Sequence, residues 1–148
     1  MKKLFILGVV LLMVIVFATS VCGKAQKVDL VICPLNYPGP DYPLGGGFVI
    51  FNNSSGTEHN LELTVSLKGV EANTEYDIYL FVDGVGTYPV PQGSVTSNKK
   101  GNVNFHMNVL LAPGEHILAL DVTLAGSGSD IYETPDIHSG GGTVLEFK

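Results

Sequence analysis

The stretch Leu61 to Lys68 constrains this chain most. In it Leu61, Leu63, Val65 and Leu67 alternate with Glu62, Thr64, Ser66 and Lys68. Successive side chains of a strand point to opposite faces, so this is a strand with one apolar and one polar face. A helix would need apolar residues three and four apart, and no segment after residue 23 carries that spacing. Gly and Pro interrupt the chain at short intervals and divide it into further strands. These are Lys27 to Cys33, Phe48 to Asn52, Glu75 to Asp83, Gly93 to Ser97, Asn102 to Leu110, Glu115 to Leu124, Ile131-Tyr132 and Thr143 to Phe147. Glu75 to Asp83 is apolar nearly throughout, as a central strand is. Pro34 to Gly47 is a loop that its prolines and glycines keep irregular. Many short alternating strands without helices predict an all-β antiparallel β-sandwich over residues 24–148, with a closed barrel as the alternative.

One hairpin can be taken to a register. If Ala112-Pro113-Gly114 turns the chain back, Val103 faces Val122, Phe105 faces Leu120, Met107 faces Leu118 and Val109 faces His116. All eight share one face, and Asn104, His106, Asn108, Ile117, Ala119 and Asp121 fall on the other. The expectation is an inward Phe105 and an outward His106.

The segment Leu67 to Ile78 (LKGVEANTEYDI) resembles the corner before a late strand of fibronectin type III domains, where a leucine, a turn and Thr-x-Tyr-x-aliphatic follow one another. The resemblance implies an immunoglobulin-like sandwich with Tyr76 as a corner tyrosine. Gly93 to Val122 resembles secreted prealbumin-like modules in its order of strand, glycine turn, Phe-bearing strand, Pro-Gly and returning strand. Such modules are stalks, spacers or binding units of cell surfaces, which is a class-level expectation because fold does not fix function.

Residues 1–23 carry Lys2 and Lys3, then an uninterrupted apolar and small run from Leu4 to Ala18, then Thr19, Ser20 and Gly23. This is the pattern of a secretory signal peptide, forming a signal helix, and it predicts a secreted or cell-envelope protein. Cleavage after Ser20 or after Gly23 fits the small residues. Lipidation at Cys22 is a further option, although Val21 and Thr19 depart from a lipobox. Leu4 to Val21 is also long enough to serve as an uncleaved membrane anchor.

Charge narrows the partners. The chain has a net charge of −6, and all its basic residues are lysine. Loss of residues 1–23 removes Lys2 and Lys3 and no acid, which takes −6 to −8. An acidic domain without arginine has neither the basic face nor the guanidinium fork for nucleic acid. It is repelled by anionic membranes, so the membrane enters only through the N-terminal segment. The expected partner is a protein or glycan at the cell surface, or a second copy of the chain.

No nucleophile elbow, metalloprotease helix, phosphate loop or dinucleotide fingerprint occurs, and a non-enzymatic module is expected. No cofactor is required. The chemistry to weigh is metal binding by Asp130, Glu133, Asp136 and His138 in the acidic loop 130–138, with calcium as the alternative cofactor. The four histidines, His59, His106, His116 and His138, share no strand spacing suited to a transition metal. Cys33, inside a strand, is expected to be a buried small hydrophobe. Tyr37, Tyr42 and Tyr88, each beside a proline, form a candidate interaction loop, since tyrosine gives contact area at low entropic cost. Asn52 and Asn53 begin overlapping glycosylation sequons.

Overall fold

The computed structural model describes residues 25–33, 45–53, 59–86, 91–135 and 137–147. The signal or anchor segment with Cys22, the three loop tyrosines Tyr37, Tyr42 and Tyr88, and Asp136 lie outside the described residues.

The described chain is all-β and antiparallel. Its strands are β1 (Ala25–Ile32), β2 (Gly46–Asn53), β3 (Asn60–Lys68), β4 (Glu75–Val82), β5 (Gly93–Thr96), β6 (Asn102–Leu110), β7 (Gly114–Leu124), β8 (Ser129–Glu133) and β9 (Thr143–Phe147). They pair in the order β5-β4-β7-β8-β1-β2-β3-β6, with β9 beside β7 in line with β8. The two ends of this order come together, because β5 packs beside β6. The sheet therefore curls around a single apolar interior.

Alternation fills that interior as the sequence requires. Leu61, Leu63, Val65 and Leu67 of β3 are fully buried, and the residues between them are not. On β6 they oppose Val109, Met107, Phe105 and Val103. Across the interior, β4 places Tyr76, Ile78, Leu80 and Val82 against Leu124, Val122, Leu120 and Leu118 of β7. Leu30, Val49, Phe51, Val70, Ile131, Tyr132, Leu145 and Phe147 belong to the same cluster.

The expected hairpin between β6 and β7 does not form. β6 pairs with β3, and β7 pairs with β4, β8 and β9. Every residue assigned inward by that register does lean inward, and Asn104, His106 and Asn108 are exposed. Alternation determines which face a residue occupies, and two strands on opposite walls of one core satisfy the same pattern as two paired strands. The residues assigned outward on β7 also need correction. Ile117 is partly exposed, but Ala119 and Asp121 are buried at 4% and 3% exposure, since the chain after β8 folds over that part of the outer face.

Two turns show how close approach selects residues. Gly101 has φ +67°, and a Cβ there would lie 2.0 Å from the Val70 carbonyl oxygen. Only glycine lets that backbone pass beneath the β3–β4 corner, where Val70 N–H donates to the Gly101 carbonyl at 3.1 Å. Ser97 ties the same corner, accepting from Thr74 N–H at 3.0 Å and donating to the Glu71 carbonyl. Tyr76 follows this corner and is fully buried.

A candidate site at the seam of β7, β8 and β1

The outer face of the sheet carries a row of side chains that should be solvated but are not. Tyr79, Asp121 and Glu133 stand side by side on β4, β7 and β8, and the exposed Val31 of β1 ends the row. Asp121 and Glu133 are directly opposed and only 3% and 6% exposed. Like charges facing each other across a strand pair repel, and burial sharpens that repulsion. Tyr79 registers the local field. Burial first, then the Asp77 charge with help from Asp121 and Asp130, raises its phenol above the ordinary range.

A bulge sets up this arrangement. Val122 opposes Tyr132 while the next residue, Thr123, opposes Asp130, so Ile131 is the extra residue of β8. Ile131 and Tyr132 thereby both enter the core, and Asp130 and Glu133 remain on the outer side. Beyond β8, Thr134 is fastened to β7: its N–H donates to the Leu120 carbonyl at 2.9 Å, and its hydroxyl accepts from Leu120 N–H at 3.1 Å. The chain then makes the 3-10 turn Ile137–Ser139 above the sheet.

Two features result. One is a cleft of about 370 Å³ between the sheet and residues 137–141, with Phe81, Ile117 and Ile137 as apolar lining and Asp121, Asp130 and His138 as polar lining. The other is a convergence of donors at its edge. His138 Nε2 lies 2.9 Å from Glu133 Oε2. That contact lacks hydrogen-bond alignment, so the buried Oε2 has no hydrogen-bond partner. Cys33, fully buried at the end of β1, joins them; its Sγ and the Glu133 and His138 donor atoms all lie within 4.8 Å of one another. The Cys33 N–H donates to the Ile131 carbonyl at 3.0 Å, which pins the thiol to the bulge.

Of the residues expected to hold a metal, Glu133 and His138 are brought together, and Asp130 lines the adjoining cleft with His138. Cys33 is buried as expected, but it also belongs to this cluster, contributed by a strand about a hundred residues earlier in the chain. Glu133 is the cluster's single oxygen donor, whereas calcium takes about six to eight oxygens.

A second histidine–carboxylate pair sits at the far end of β7. His116 Nδ1 is 2.7 Å from Asp83 Oδ2, and its Nε2 is 2.9 Å from the Ala112 carbonyl. Asp83 Oδ1 also accepts from Ile117 N–H at 2.9 Å. Imidazolium has two N–H groups and satisfies both acceptors at once. The Asp83 hydrogen bond, then that of Ala112, therefore raise the His116 pKa above its ordinary value. The bond from Ile117, then His116, hold the Asp83 carboxyl below its ordinary value. The pair resembles the base and orienting acid of a hydrolase, yet Nε2 faces a carbonyl where a nucleophile would stand. His106 is apart from both, on the exposed face with Thr64 at 3.1 Å.

No family model, curated protein or solved structure matches this chain.

Proposed function

We propose that this is an exported, non-enzymatic binding module of the cell envelope or secretome, built on an immunoglobulin-like β-sandwich, that takes a cationic ligand with an apolar body. The cleft above the outer face carries this reading. Its volume of about 370 Å³ falls in the range of small-molecule sites, and it combines apolar walls with two carboxylates. Phe81 and Ile137 offer contact to an alkyl or aryl body, and Asp121 and Asp130 offer counter-charge to an ammonium group. The net charge of −8 left after loss of residues 1–23 attracts such a ligand at long range. The pairing of the non-consecutive strands β3 with β6 and β4 with β7 supports the sandwich reading.

The test is a two-dimensional NMR titration with phenethylammonium and with its neutral counterpart phenethyl alcohol, in the presence of chelator. Saturable shifts of Phe81, Asp130 and Ile137 amides are expected with the ammonium compound. Asp130→Asn should weaken binding by roughly tenfold, the loss of one charge-assisted hydrogen bond. Equal responses to the two compounds, or none, would refute the reading.

A further inference from the structure

We infer that Cys33, Glu133 and His138 form a binding site for a borderline-soft divalent metal ion, of which zinc is the type. Three observations lead there, and none depends on the cleft taking an organic cation. The donor set is the first. A thiolate, a carboxylate and an imidazole are ligands that zinc accepts together, whereas calcium and magnesium select oxygen alone. The spacing is the second. Zinc–ligand bonds of about 2.0 to 2.3 Å place tetrahedral donors about 3.3 to 3.7 Å apart. Here all three donor atoms already lie within 4.8 Å, and two of them are 2.9 Å apart without a hydrogen bond between them. Small adjustments of His138 close the set, since its side chain is 58% exposed on a short turn.

The third observation is electrostatic. Glu133 is buried directly opposite buried Asp121. A bound dication converts that repulsion into attraction, and Asp121 then strengthens the site through its field without ligating. Cys33 is not in a disulfide, so its sulfur can coordinate as thiolate once the metal displaces the proton. Three protein ligands leave a fourth position, toward the side on which His138 is exposed.

Calorimetric titration of zinc into the reduced, chelator-treated protein tests this. The expected result is one ion per chain, a higher thermal midpoint with zinc, and loss of both with excess chelator. Cobalt in place of zinc should give a sulfur-to-metal charge-transfer band in the near ultraviolet, which Cys33→Ser removes. His138→Ala should weaken zinc by more than about 100-fold, beyond the loss typical of a residue that only supports a ligand. Because His138 is exposed, this variant folds even if Cys33→Ser does not. Asp130→Asn should leave zinc affinity within a few-fold while weakening phenethylammonium, which separates the two sites. Absence of zinc binding, a cobalt complex without the thiolate band, or zinc affinity unchanged in His138→Ala would each overturn the assignment.

Discussion

The two histidine–carboxylate pairs are built from the same chemical groups and have opposite characters. At His116 every polar atom has an aligned partner: Asp83 accepts from the ring and from Ile117, and the Ala112 carbonyl takes the other nitrogen. At His138 the approach to Glu133 is as close, yet it is unaligned, with a thiol alongside and a second buried carboxylate behind. The first pair is a completed clip that fixes the β4 turn to β7. The second is a set of converging donors with something left to bind. Proximity alone does not distinguish structure from site; alignment and surrounding charge do.

Four measurements break or sharpen this contrast. The yardstick is Leu118→Ala, on the strand that carries the clip. Leu118 is fully buried, and its truncation should cost about 2 to 5 kcal/mol in urea unfolding. Asp83→Asn should lower the unfolding midpoint by less than Leu118→Ala does; an unchanged midpoint would mean that the clip is ornamental.

The pH profile comes next. A raised His116 pKa stabilises the fold fully below its unfolded value of 6.5, and that contribution is lost as pH rises through the folded value. A lowered Asp83 pKa stabilises above its unfolded value of 3.8, and is lost as pH falls through the folded value. The clip should therefore be strongest between these two unfolded values and weaken as pH rises past 6.5 toward the raised His116 value, and Asp83→Asn should flatten that decline.

In metal-free protein Glu133→Gln should raise stability by up to about 1 kcal/mol, by relieving its repulsion with Asp121. A fall would show that Glu133 is as fully partnered as Asp83. The smallest effect is His138→Ala without metal, expected within about 0.5 kcal/mol because the side chain is exposed.

The fold was far more legible than the site. Leu61 to Lys68 displays its strand and its buried face in the alternation itself, and the other strands end where Gly, Pro and Asn fall. Partners were not legible. Val103, Phe105 and Met107 alternate in step with Leu118, Leu120 and Val122 because both sets line one core, which the sequence cannot distinguish from direct pairing. The candidate site was half visible. Glu133 and His138 are five residues apart, and local sequence brings them together. Cys33 joins only because β1 pairs with β8, and no local pattern encodes that pairing. Alternation alone assigns Asp121 to the solvent face for a similar reason: the covering segment is built from residues without strand periodicity.

The position of β1 has a consequence for how the chain comes to its fold. Its first residues pair with β2, close in sequence, but Val31 and Ile32 wait for Glu133 and Tyr132. A chain delivered N-terminus first can zip β1, β2 and β3 early, while the seam stays open until nearly all of it has emerged. Closing so long a loop is slow, because its entropy must be lost before any contact repays it. During that interval Cys33 is an uncovered thiol. Alkylation of Cys33 followed against time after dilution from urea would therefore serve as a clock for the last step, with reactivity vanishing when the seam shuts.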